Sequence, residues 1–134
     1  MPYAFAWKYS DNPNLLLWSR SINPVNDSSS LMNNFAHSWF GHFITHINWD
    51  NIWLAEGFST FIERKVLKSI YGEDLFNLNA LKGDKEMCRF ISEMGENNNI
   101  TSLHPDTSMI DNDYYINIIA KEKGFQFLLY LEVY

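Results

Sequence analysis

The sequence predicts a mainly α-helical fold, with at most a small β remnant at the N-terminus. Apolar residues recur at helical spacing over several long stretches. Glycines and polar clusters punctuate the ends of those stretches. A chain of 134 residues with 46% hydrophobic and 16% aromatic content is sized and composed for one globular domain. The expected layout is one domain over residues 1–134, with 1–26 as an irregular or strand remnant and 27–134 as the helical core.

Residues 1–26 carry Asn-Pro twice, at 12–13 and 23–24, which are turn signals. Between them Leu15-Leu16-Leu17-Trp18 is a candidate short strand. Asp27-Ser28-Ser29-Ser30 offers helix N-caps, and Leu31, Phe35 and Trp39 follow at i+4 steps. A helix from about Ser29 to His42 follows, with Gly41 as its stop. A second helix over about Asn51 to Tyr71 is expected to turn Leu54, Phe58, Phe61, Ile62, Val66 and Ile70 inward as one stripe. Gly72 ends it. The third helix, about Glu73 to Glu93, is expected to bury Leu75, Leu78, Leu81 and Cys88. The polar stretch from Gly95 to Asp113, containing His104-Pro105, reads as a long loop. A last helix begins near Tyr115 and carries Ile119, Phe125, Leu128 and Leu129. It meets no stop signal before Tyr134, so the chain is expected to be an excerpt of a larger fold.

Ten basic against sixteen acidic residues give a net charge of −6. That disfavours nucleic acid and anionic membrane as partners, because both need clustered Lys and Arg. No apolar run approaches the ~18 residues of a membrane span. Cys88 is the single cysteine, so no internal disulfide forms. Together with the absence of a signal-like start, this gives a cytoplasmic expectation.

The chemistry sits in Asn33-Asn34-Phe35-Ala36-His37-Ser38-Trp39, which lies where a zinc peptidase carries H-E-x-x-H-S-W. On a helix, positions i and i+4 point two imidazoles at one metal. The Glu beside the first His takes the proton of the metal-bound water. Here Asn33 stands at the first ligand position and Asn34 at the base position, while His37 keeps the second. Glu56, separated from His37 by eighteen intervening residues, is the candidate third ligand from the next helix. The two helices must then pack antiparallel. Glu63, two turns further along, is either a group that orients a ligand or a solvated surface carboxylate. His42 and His46 are spaced i, i+4, but they follow Gly41, where the helix is expected to end, so a surface pair is the expectation.

The run Trp39-Phe40-Gly41-His42-Phe43-Ile44-Thr45, with Trp49-Asp50, Trp53-Leu54, Glu56-Gly57-Phe58 and Glu63-Arg64, resembles the gluzincin aminopeptidases of peptidase family M1. Tyr71-Gly72-Glu73, Asn79-Ala80-Leu81, Gly83 and Glu122-Lys123-Gly124-Phe125 are similar to the branch that holds leukotriene A4 hydrolase and aminopeptidase B. The likeness runs from about Leu31 to Leu131. It implies a thermolysin-like helical catalytic-domain core, a single zinc ion, and peptide substrates shortened from their N-termini. It also implies roles at matching positions. Lys121 replaces a Tyr that steadies the oxyanion. Asp11 stands where a Glu binds the substrate amine, and Asp113 matches an acidic residue of the substrate pocket.

Losing a general base typically costs ~10²–10⁴-fold, and losing an oxyanion donor ~10²–10³-fold. The expectation is therefore a non-catalytic relative, a pseudoenzyme with doubtful zinc occupancy. One alternative is an active zinc aminopeptidase using His37, Glu56 and an unexpected third group. Another is a protein-interaction scaffold, with exposed apolar surface favouring self-association or a protein partner.

Overall fold

A computed structural model describes residues 9–13, 15–19, 22–23, 27–109 and 113–133, with only the backbone described for 9, 11, 109 and 113–117. The architecture is mainly helical. A two-stranded antiparallel hairpin, β1 (Tyr9–Asn12) and β2 (Leu15–Trp18), precedes four α-helices: α1 (Ser28–Trp39), α2 (Ile52–Tyr71), α3 (Glu73–Met94) and α4 (Asp113–Val133). The hairpin register sets Asn12 opposite Leu15, so the first Asn-Pro is its turn. β2 was legible as a candidate strand. β1 was not, since its sequence Tyr-Ser-Asp-Asn lacks β-branched residues.

The contacts between α1 and α2 show that they run antiparallel. Ser29 and Asn33, early in α1, reach Glu63 well along α2, while His37 near the end of α1 meets Glu56 near the start of α2. α1 stops at Trp39, three residues before the expected His42. The Phe40 N–H still bonds to Ala36 O at 2.9 Å, and the chain then turns through Gly41 at φ 134°. A side chain at Gly41 is strained by that φ. Its Cβ would also stand 3.2 Å from the His37 ring.

The expected apolar residues of α4 form the core, with Ile119, Phe125 and Leu128 buried, but the stripes expected on the other helices do so only in part. On α2, Leu54 and Ile70 are exposed, while Ala55, Gly57, Ser59, Thr60, Glu63, Arg64 and Leu67 are buried. On α3, Leu78, Leu81 and Cys88 are exposed, and Phe76, Gly83, Met87 and Phe90 face inward. On α1, Phe35 and Trp39 are exposed, and Leu31, Asn34 and Ala36 are buried. The reason is the closeness of α2 to α4. A Cβ on Gly57 would stand 2.9 Å from Gly124 Cα, and one on Gly124 would stand 2.8 Å from Gly57 Cα. Helices this close admit only small residues at the crossing, so bulky residues are displaced to other faces.

Beside the crossing, Arg64 donates to both carboxylate oxygens of Glu122, at 2.9 and 2.7 Å. Its guanidinium lies 4.3 Å from the centre of the Phe125 ring. Gly83 of α3 makes room for this pair, because a Cβ there would fall on the Glu122 carboxylate. Phe125, Leu67 and Ile119 complete the interior. The stretch expected as a loop holds short 3₁₀ turns at Asn99–Thr101 and Thr107–Met109. Asp50, at the entry to α2, accepts from the Thr107 N–H and hydroxyl at 3.0 and 2.8 Å, which ties the loop back.

Gly57→Ala is expected to destabilise the chain by about 1–3 kcal/mol, the usual cost of overpacking a closed contact. Urea unfolding measures it. An unchanged midpoint would mean that the α2–α4 contact is looser than described.

Candidate functional site

The end of α1, the turn after it, the start of α2 and one turn of α4 enclose a cleft of about 350 Å³. Asn33, Asn34 and His37 line it from α1, Glu56 from α2 and Lys121 from α4. The three residues from α1 share one wall because Asn33 and Asn34 precede His37 by four and three residues, spacings that fall on one helix face.

His37 Nδ1 lies 3.2 Å from the Phe40 carbonyl oxygen. A carbonyl only accepts, so Nδ1 carries the proton. In the neutral ring Nε2 then turns a lone pair toward the cleft, which is how a histidine is prepared to bind a cation. That Nε2 stands 3.6 Å from Glu56 Oε2. The predicted facing of His37 and Glu56 is therefore present. Lys121 Nζ approaches the same carboxylate oxygen at 3.5 Å. Burial would raise the Glu56 carboxyl, but the His37 contact and the Lys121 charge outweigh it and hold the group below its ordinary value.

Asn33 faces elsewhere. Its Nδ2 donates to Glu63 Oε2 at 3.0 Å, and the Ser29 hydroxyl donates to Glu63 Oε1. Glu63 is 9% exposed, so the surface alternative is excluded and it holds the side chain at the first ligand position. Burial pushes the Glu63 carboxyl up. The two hydrogen bonds and the Arg64 charge only partly oppose this. Asn34 is 4% exposed, and its side-chain amide nitrogen has no partner. An amide there has no basic carboxylate to offer a water molecule.

The expected surface pair of histidines is not at the surface. His42 and His46 are half-buried in the cleft wall, carried by the turn because α1 has already ended. His42 Nδ1 donates to the His37 carbonyl at 3.0 Å, and the His46 ring lies 5.5 Å from Trp49. The side chains of Asp11 and Asp113 lie outside the described residues. Their backbones place Asp11 in β1 opposite Leu16 and Asp113 at the first residue of α4.

A zinc ion takes imidazole, thiolate or carboxylate ligands, three or four of them. Among the described residues no group of three His, Cys, Asp or Glu is placed to hold a metal. His37 and Glu56 fit that donor set and Asn33 does not. Ser29 was not singled out from the sequence, although Ser29, Asn33 and His37 recur at i+4 and so share a helix face. The Arg64–Glu122 pair was also missed, because a buried ion pair carries no periodic signal.

Antiparallel helices presenting a His and a Glu to one another across a cleft form the framework of a metallopeptidase catalytic core. Residues 16–134 match the peptidase family M1 domain, and the chain belongs to that family. It is similar to leukotriene A-4 hydrolase of Xenopus laevis, with 32% identity over 98% of this chain and 22% of that protein. It is also similar to leucine aminopeptidase 2 of Aspergillus niger, with 31% identity over 98% of this chain and 22% of that one. The solved structure of native leukotriene A4 hydrolase from Saccharomyces cerevisiae superposes with a TM-score of 0.82 at 25% identity, covering 98% of this chain and 21% of that one. The chain thus spans about a fifth of the length of the relatives it matches.

The two buried carboxylates have opposite pH signatures. Glu56 is held below the ordinary value of 4.5, so its contribution to stability is present above about pH 4.5 and is lost as the pH falls through its folded value. Glu63 is raised above 4.5, so its contribution is complete below about pH 4.5 and is lost as the pH rises through its folded value. Unfolding followed from pH 3 to 7 is therefore expected to show Glu56→Gln closing on the unaltered chain as the pH falls below 4.5. Glu63→Gln gains on it toward high pH. Parallel stability curves for both variants would contradict these environments.

Proposed function

We propose that this chain is a non-catalytic member of the zinc metallo-aminopeptidases that acts by binding and not by hydrolysis. The observation that carries the reading is the commitment of Asn33. The residue at the first ligand position donates its amide to Glu63 at 3.0 Å and brings no imidazole. Next to it Asn34 stands where a proton-accepting carboxylate belongs. Lys121, at the position of the oxyanion donor, is paired with Glu56. Zinc is the ion of this family's chemistry, and the donor set here does not suit it, so no hydrolytic step is assigned to these residues. The retained positions are His37 and Glu56 as metal-facing groups, with Asp11 and Asp113 at the substrate-binding positions.

Binding is supported by what the cleft keeps, namely its volume and a charged floor, which suit a peptide segment. A protein partner or self-association is supported by the exposed Trp39, Phe43, Ile47 and Trp49 around the turn after α1. Free, exposed Cys88 suits a reducing compartment such as the cytoplasm. Among the described residues no helix is long and apolar enough to cross a membrane.

Aminoacyl chromogenic substrates with added zinc are expected to show no turnover above background. Asn33→His is expected to raise zinc affinity, because it adds a third ligand of the right chemistry to His37 and Glu56. Adding Asn34→Glu supplies a base worth ~10²–10⁴-fold in rate when the rest of a site is in order. Here it should yield only weak turnover, since Lys121 remains. Zinc-dependent cleavage by the unaltered chain would overturn the proposal.

A further inference from the structure

Glu56 is a carboxylate that cannot stand alone. Its side chain is 14% exposed, and its Oε2 has no hydrogen-bond partner. A charge this deep needs an opposite charge nearby. In a metal centre the ion supplies it. His37 supplies it only when both ring nitrogens are protonated, since Nδ1 donates to the Phe40 carbonyl while Nε2 stands 3.6 Å from Oε2. Lys121 does, with Nζ at 3.5 Å from Oε2.

We propose that Lys121 is a resident counter-cation for Glu56, an ammonium that takes over the charge role of a metal ion, stabilises the cleft without one, and disfavours a divalent cation at His37 and Glu56. The proposal deepens the non-catalytic reading and rests on it only for the missing first ligand. The pair is well positioned by the packing around it. Glu56 precedes Gly57, which touches Gly124 across the helix crossing. Lys121 precedes Glu122, which Arg64 grips through both oxygens. Both partners are thus anchored beside the close α2–α4 crossing. Lys121 itself is 38% exposed, and exposed ion pairs contribute little. Its effect comes from the other end, where removing the ammonium leaves a buried carboxylate uncompensated. A dication seated on Oε2 would in turn have a fixed positive charge for a neighbour, and like charges at such range repel.

The test is a double-mutant cycle of Lys121→Met, Glu56→Gln and the two combined, unfolded by urea in excess chelator. Lys121→Met is expected to lower the midpoint, with that loss abolished when Glu56 is already Gln. Lys121→Arg is expected to retain the midpoint. A second arm compares Asn33→His with Asn33→His/Lys121→Met for zinc affinity against a competing chelator. The double variant is expected to bind at least about 10-fold tighter, the low end for a group adjoining a metal's ligands. Additive effects in the cycle would overturn the proposal, as would equal zinc affinities in the second arm. If Asn33→His fails to fold, the cycle decides alone. Tight zinc binding with cleavage by the unaltered chain would refute the non-catalytic reading, while the cycle would still decide the role of Lys121.

Discussion

The contact between Gly57 and Gly124 is the constraint from which the site follows. Two helices that meet backbone to backbone fix the side chains on either side of the meeting point. On α2 those are Glu56 and, two turns on, Glu63 and Arg64. On α4 they are Lys121 and Glu122. The crossing therefore sets one ion pair at the floor of the cleft, Lys121 with Glu56, and a second in the interior, Arg64 with Glu122. A buried ion pair is weak support for stability when compared with a hydrophobic replacement, but breaking one partner typically costs about 3–5 kcal/mol. The interior pair thus ties α2 to α4 through two hydrogen bonds, with Gly83 on α3 keeping the space it needs.

The electrostatics of the cleft are a matter of partners more than of depth. Glu56 and Glu63 lie on the same helix and are similarly buried, yet their carboxyls move in opposite directions. Desolvation is the largest influence on each. For Glu56 the His37 contact and the Lys121 ammonium outweigh it. For Glu63 two hydrogen bonds from Ser29 and Asn33 and a charge on Arg64 already shared with Glu122 do not. Asn33 narrows this difference without closing it, since its amide hydrogen bond favours the charged Glu63 against the larger effect of burial.

Much of this was legible in the sequence, and the parts that were not share a cause. The order of the helices, the α2 and α3 boundaries and the facing of His37 with Glu56 follow from periodicity, glycine stops and one motif spacing. The inward face of α4 was legible, with Ile119, Phe125 and Leu128 buried, but those of α2 and α3 were misassigned in part. Leu54, Leu78 and Leu81 are apolar and exposed, while Gly57, Ser59, Glu63 and Arg64 are buried. Apolar periodicity finds a core built of large side chains and misses one built on close backbone approach and a buried ion pair. The end of α1 was placed too late, because Gly41 marks the turn beyond the helix and not its last residue. The positions of His42 and His46 depend on that turn, so their place in the cleft wall was not accessible from spacing alone.

The central claim is that this cleft keeps the framework of a zinc peptidase without the donors to hold the ion. It is tested most directly by the zinc content of the purified chain. The protein would be equilibrated with excess zinc, dialysed exhaustively and assayed by elemental analysis. The account predicts zinc well below one ion per chain. One ion per chain, retained through dialysis and lost when His37 or Glu56 is replaced, would contradict it.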